Sequence, residues 1–446
     1  MRIIIHRGGH EIGGTGVELS TTKSRIIIDF GMPLQDAGGA DFNERTLEGK
    51  SLQDLITDDV LFDIKGLYRG SRPSIDAILI SHSHKDHYGL LPYIHPDIPI
   101  YISKGAYELV QALNDFLPES KRTTINSPVI LQDNHPFEVG DFTITPHLVD
   151  HSGFDAMGFL IRETITGETL LYTGDFRAGG WTRKRYYDFI SNPPKGVDCL
   201  LMEGTMLARE GGKYPDEAAV VQGVIDAIEN SQNTVIPVYC SGQNIDRIVS
   251  LYKAANEANA LLVVDSYTAC MLRVAGRIDK SIPQIELDNI RVFVANYGQG
   301  DIYIRKISNS SGLKNIIYSI GRKKIKAYDF GSVKQKALLV MRNTMISVVE
   351  KIPQIKNSTI IYSQWDGYIK KDTSDAAKTK EFIRRNNLHY EHIHTSGHAT
   401  LKILQEFAKK VNARKIIPIH TQYPNRFKEH FGDTVVCHDD GKPFEV

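Results

Sequence analysis

The chain has 446 residues, 41% of them hydrophobic, and 53 basic residues stand against 53 acidic ones. That length supports two or three domains with substantial cores, and the composition is ordinary for a soluble globular protein. The charge balance excludes a globally basic nucleic-acid binder, so any such surface must be local. No apolar run approaches the roughly 18 residues of a membrane span, and MRIIIHRGGHEIGG lacks the apolar stretch of a signal peptide.

Residues 1–206 read as strand-rich. Short β-prone runs at Arg2–His6, Gly16–Ser20 and Arg25–Asp29 are separated by Gly-rich or Ser/Thr-rich turns. The apolar run Ala77–Ile80 leads directly into His82-Ser83-His84-Lys85-Asp86-His87. Imidazoles and carboxylates are the ligands zinc takes when thiolates are absent. Alternation along an extended segment points His82 and His84 the same way, and the turn at Asp86-His87 lets the second pair reach another point. One segment can therefore feed two adjacent metals. A helix is expected over Gly105–Phe116, with further strands at Ile98–Ile102, Asp141–His147, Gly158–Arg162 and Thr169–Thr173. His151 and Asp175 each follow one of these apolar runs, and Asp29 ends another. A carboxylate at Asp29 suits accepting the second ring N–H of a metal-bound histidine.

The character changes over residues 207–385. Pro215-Asp216-Glu217 opens a helical run with acids where the helix dipole favours them. Strand TVIPVY (234–239), helix 244–259, strand LLVVD (261–265) and helix 268–277 follow. Such alternation predicts a parallel α/β unit inserted into the first. Between Asp301 and Arg342 ten Lys/Arg face two Asp, with Arg322, Lys323, Lys324 and Lys326 at the centre and tyrosines interleaved. This suits a phosphate-lined path for single-stranded nucleic acid, although a charge run is more often a solvated face. Residues 386–446 return to the earlier style, with His398 in Ser396-Gly397-His398-Ala399 and His420 ending KIIPIH. Cys199, Cys240, Cys270 and Cys437 are scattered with no CxxC pair, which fits thiols in a reducing, cytoplasmic compartment.

HSHKDH, a lone histidine, TGDF, the insert, SGHA and PIHTQ together resemble the metallo-β-lactamase superfamily. Within it they are most similar to the β-CASP nucleases of the ribonuclease J type. The resemblance covers essentially the whole chain. It implies an α/β fold: an αββα sandwich interrupted by an α/β β-CASP domain. It implies two divalent ions, zinc with manganese as the alternative. His82, His84 and His151 would hold one, Asp86, His87 and His420 the other, with Asp175 bridging. Asp86, Glu203 and His398 form the expected catalytic set. His398 would protonate the leaving oxygen, with Glu203 holding its imidazolium. Ser396, Gly397 and Ala399 would flank the phosphate, the two small residues letting it approach the backbone.

Glu203 departs from the aspartate of many ribonuclease J proteins. The chain closes soon after His420, so a short form without the extra C-terminal domain of many bacterial members is expected. The expected partner is single-stranded RNA, with a homodimer as a candidate assembly and no membrane. A small-ester hydrolase on the same scaffold and an inactive RNA-binding subunit are the competing readings.

Overall fold

The computed structural model describes residues 1–181, 188–209, 211–295 and 302–446. Its strands form three sheets. The first sheet runs, edge to edge, through Pro443–Glu445, Arg2–Arg7, Gly16–Ser20, Arg25–Ile28, Ala77–Ile80, Ile100–Ser103 and Pro128–Leu131. From Arg25–Ile28 onward its neighbours are parallel. The second orders Lys415–Ile419, Cys199–Glu203, Thr169–Tyr172, Met157–Glu163, Phe142–Leu148 and Phe137–Val139, its first three strands parallel. Runs such as RIII and AILI are apolar throughout because strands of this kind are covered on both faces.

The two sheets close on each other through Ile3, Val17, Leu79, Phe159, Leu201 and Ile417. This is the αββα sandwich expected from the sequence. Its parallel strands carry the chemistry. Side chains that immediately follow their C-terminal ends emerge at one edge, where the two sheets meet.

The third sheet is parallel throughout and contains strands Val235–Tyr239, Leu261–Asp265, Ile290–Phe293, Lys324–Ile325, Ala337–Met341, Thr359–Tyr362 and His389–His392. Helix Glu217–Asn230 starts on Asp216, whose carboxylate accepts from the Ala219 N–H at 2.8 Å. Leu109 and Phe116 near helix Lys104–Asn114, together with Phe154, join the insert's core of Val224, Ile248 and Met271. The insert is therefore packed onto the sandwich by apolar burial.

Strand His389–His392 lies beyond residue 385, where the sequence suggested the return to the sandwich. It is an edge strand with a polar, mostly exposed pattern, so no apolar alternation marks it. We place the return after His392. The C-terminal strand Pro443–Glu445, paired with Arg2–Ile4, was also not anticipated. Among the described residues no helix is long and apolar enough to cross a membrane. The four cysteines are unpaired, three of them buried.

Candidate metal centre

Five strand ends build the site. Ala77–Ile80 delivers His82 to His87, Leu148 precedes His151, Tyr172 precedes Asp175, Cys199–Glu203 ends in Glu203, and Ile419 precedes His420. His82, His87, His151, Asp175, Glu203 and His420 are all buried. The structure brings together all seven side chains expected to hold metal. His82, His84 and His151 form one group with ligand atoms within 4.8 Å of one another, and Asp86, His87 and His420 form a second.

A single oxygen lies between the groups. Asp175 Oδ2 is 3.2 Å from His87 Nε2, 3.6 Å from His420 Nε2, 3.8 Å from His82 Nε2 and 4.0 Å from His151 Nε2. Ring nitrogens also face one another, with His82 Nε2 and His151 Nε2 at 3.0 Å and 3.2 Å from His84 Nδ1. Burial, reinforced by neighbouring imidazoles, holds His82 and His151 well below the usual histidine range. Their lone pairs are therefore available for ligation. His87 Nε2 is buried and makes no hydrogen bond. Such an orphaned atom among converging carboxylate and imidazole donors fits a divalent cation.

The rings are fixed from behind. Asp29, fully buried, accepts from His87 Nδ1 at 2.8 Å, from the Ser81 N–H and Oγ–H at 2.7 and 2.8 Å, and from the Tyr172 hydroxyl at 2.7 Å. Asp29 thus holds the His87 ring from its far side by a hydrogen bond. His151 Nδ1 donates to the Gly397 carbonyl at 2.6 Å, and His420 Nδ1 meets Thr205 Oγ1 at 2.9 Å. Asp29 and His420 both sit in left-handed backbone, with φ of 57° and 53°. Such strain persists only where surroundings over-determine it, as at this strand edge.

His398 and Glu203 adjoin the cluster. His398 Nδ1 is 3.1 Å from Glu203 Oε2 and 3.8 Å from Asp175 Oδ2, and the His398 side chain is 21% exposed. Burial alone would lower the imidazole, but the Glu203 and Asp175 carboxylates hold it above its ordinary value. Glu203 Oε1 also accepts from the N–H groups of Phe176 and Ala399.

Ser396 Oγ accepts from the His398 N–H at 3.1 Å. The small size of Gly397 has an internal cause. A Cβ there would lie 2.4 Å from Ser152 Oγ. Ala399 is wholly buried, whereas Ser396 and Gly397 are half-buried.

The basic run is elsewhere. Arg322, Lys323, Lys324 and Lys326 surround strand Lys324–Ile325, at the opposite edge of the third sheet from His389–His392. Six inter-strand steps separate those edges, roughly 29 Å at the usual strand spacing. The segment carrying His398 leaves from the edge opposite the basic run. His10 is largely exposed near Asp439.

Sequence reasoning missed a second buried cluster, directly behind the first. Arg177 pairs with Asp150 at 3.1 Å, with Glu217 at 3.3 Å and with Asp246, and donates to the Ser396 carbonyl at 3.3 Å. Arg247 pairs with Glu217 at 3.0 Å and donates to Ser363 and to the Thr395 carbonyl. Sandwich, insert and the 395–398 loop are thus tied by buried charges. The only sequence signal is position: Asp150 precedes His151, and Arg177 follows Asp175 by two.

The β-lactamase superfamily domain model matches residues 63–230, a span containing His82–His87, His151, Asp175 and Glu203. Ribonuclease J of Helicobacter pylori (strain B128) is 22% identical over 435 residues, covering 96% of this chain and 56% of that protein. The chain thus spans about half the length of such bacterial relatives. The probable RNase MJ4 of Methanocaldococcus jannaschii is 24% identical, covering 94% of this chain and 93% of its own. A solved structure, a protein of unknown function from Enterococcus faecalis V583, superposes with a TM-score of 0.76 at 20% identity, covering 99% of both chains. The chain is thus similar to the β-lactamase superfamily domain over residues 63–230 and, over nearly its whole length, to proteins named ribonuclease J and RNase.

Proposed function

We propose that this chain is a metal-dependent ribonuclease that hydrolyses phosphodiester bonds of single-stranded RNA, as a 5′→3′ exonuclease, an endonuclease or both. The observation that carries the reading is Asp175 Oδ2, set between two histidine-rich groups with the His398–Glu203 pair beside them. His82, His84 and His151 would hold one divalent ion, and Asp86, His87 and His420 a second, with Asp175 shared. Zinc suits the donors, and manganese is the alternative. Bound there, the ions would supply an acidified water and neutralise charge on the phosphoryl oxygens.

The chain's own residues do the rest. Asp29 and the Gly397 carbonyl keep the His87 and His151 rings in one orientation. Glu203 takes His398 Nδ1, leaving Nε2 as the nitrogen that would give a proton to the departing ribose oxygen. The sandwich and insert keep the polar cluster buried, which strengthens every electrostatic contact inside it. Similarity to proteins named ribonuclease J and RNase, over nearly the whole chain, supports RNA as the substrate. The unpaired cysteines suit a reducing compartment, and we place the protein in the cytoplasm.

The test runs a 5′-labelled single-stranded RNA and a lactone side by side, after chelation and after return of zinc or manganese. Metal-dependent shortening of the RNA with the lactone intact is expected, and product lengths over time separate stepwise removal from internal cuts. Lactone hydrolysis with intact RNA would replace this reading with the small-ester hydrolase. Neither reaction, with RNA still bound, would leave an RNA-binding subunit.

A further inference from the structure

Arg209 lies six residues beyond Glu203, on the segment leaving that strand. Its guanidinium covers the Trp365 ring, 4.2 Å from the centroid. It is half-buried, and among the described residues it forms no ion pair. Among the described residues, the buried arginines Arg177 and Arg247 each have a carboxylate. A desolvated cation without a counter-charge is costly, and anion binding would relieve that cost.

Trp365 is met edge-on by Tyr368, with centroids 5.2 Å apart and planes at 81°. A Cβ on Gly367 would lie 2.3 Å from the indole, so this turn needs glycine to hold the two rings together. Tyr368 is 52% exposed, and Tyr423, three residues past His420, is 48% exposed. Large aromatic rings left in water beside an arginine that has no ion pair among the described residues mark a binding surface.

The patch reaches the 34–41 loop, which leads back toward the metal cluster. Lys371, whose ammonium lies 5.8 Å from the Tyr368 centroid, crosses to Asp41 on the loop that also carries Leu34. Leu34 and Asp86 Oδ2 both abut Gly13, where a Cβ would meet them at 2.6 and 3.0 Å. Burial raises the Tyr368 hydroxyl, the Asp86 carboxylate raises it further and Arg209 opposes.

We propose that Arg209, Trp365 and Tyr368 form a nucleotide subsite beside the reacting phosphate, where Arg209 takes a backbone phosphate of the RNA strand and Tyr368 stacks one base. The inference rests on the ribonuclease reading. Single-stranded RNA supplies, at each step, an anion suited to the arginine fork and a π-face suited to the ring. An apolar protein partner would match the rings and leave Arg209 unpaired. A simple anion would match Arg209 and leave the rings in water.

The experiment measures binding of 5′-labelled RNA to the full chain in chelator, and cleavage after metal is returned. The RNAs are an intact oligomer and a series carrying one abasic residue at successive positions. Tyr368→Ala should weaken binding of the intact RNA roughly 5- to 100-fold, the usual worth of one stacked base. At one abasic position the parent should lose the same factor, and Tyr368→Ala should then add nothing. Arg209→Gln should weaken intact and abasic RNA alike and reduce the salt slope by about one contact. Metal content and thermal unfolding of both variants should match the parent. A parent that cleaves RNA, with both variants binding every RNA as the parent does, overturns the subsite alone. A parent that neither binds nor cleaves RNA overturns the ribonuclease reading, and the subsite with it.

Discussion

Two buried polar clusters stand back to back in this molecule, and they are solved in opposite ways. Around Arg177 and Arg247, donors meet acceptors: Asp150, Glu217, Asp246, Ser363 and two loop carbonyls take the guanidinium N–H groups. Around Asp175, imidazoles converge on one carboxylate: His87, His420, His82 and His151 all reach Asp175 Oδ2 within 4.0 Å, and ring nitrogens face each other at 3.0 and 3.2 Å. The first cluster carries its own cations. The second is arranged for cations from outside. Burial of charge is common to both, so burial alone does not mark a metal site; several imidazoles converging on one shared carboxylate do. The clusters also touch, because Arg177 holds the Ser396 carbonyl and the next carbonyl, Gly397, holds His151.

The sharpest way to test the boundary between them is His398, which adjoins the ligands without belonging to either three-membered set. His398→Ala should lower turnover roughly 10²–10⁴-fold, the worth of general acid catalysis, while both metals and RNA binding survive. The loss should shrink for a p-nitrophenyl phosphodiester, whose leaving group departs without a proton. Equal loss on both substrates would assign His398 to positioning, and loss of a metal would make it a ligand.

Breaking the paired cluster should cost fold rather than chemistry. Arg177→Met leaves Asp150, Asp246 and Glu217 short of a buried counter-charge, and denaturant titration should show about 3–5 kcal/mol lost. A change under about 1 kcal/mol would mean that the network is not the tie between insert and sandwich.

A smaller effect follows from the imbalance of two arginines against three carboxylates. Burial pushes Asp246 up to about 6, with Asp150 and Glu217 adding and Arg177 opposing. A carboxyl raised in the folded state binds more protons there than when unfolded, so its contribution to stability is full below the unfolded value near 4. It falls as pH rises to about 6. Asp246→Asn should therefore compare better with the parent at pH 7 than at pH 4 in thermal unfolding. A difference independent of pH would contradict the assigned strain.

The smallest effect belongs to the basic run. Replacing Arg322, Lys323, Lys324 and Lys326 with Ala should lower the salt slope of binding by about 0.7 per lost contact. Given its place at the far sheet edge, the change should appear only with RNA long enough to reach it. Equal slopes on long RNA would make the run a solvated face.

These contrasts also explain what the sequence revealed. His82, Asp175, Glu203 and His420 were legible because each closes or shortly follows an apolar run, and parallel strands deliver their ends to one edge. Arg177, Glu217 and Arg247 were not, because each is a charge whose partners are 27 or more residues away. No periodicity encodes such a pairing. Strand His389–His392 was missed for the same kind of reason, since an exposed edge carries no apolar alternation. The basic run was visible as composition, but its distance from the site depends on strand order, which the local sequence does not specify. Trp365 and Tyr368 stood unremarked because two aromatics in a turn are ordinary until their exposure is known.

The central claim is that the Asp175 cluster takes cations from outside and uses them on RNA. The most direct measurement is metal content by elemental analysis, with RNA cleavage in parallel, for the parent and Asp175→Ala after chelation and reloading. The account predicts about two tightly held ions in the parent, fewer than two in the variant, and RNA cleavage reduced by orders of magnitude. Two tightly held ions in Asp175→Ala, or a parent that cleaves RNA undiminished with none, would contradict it.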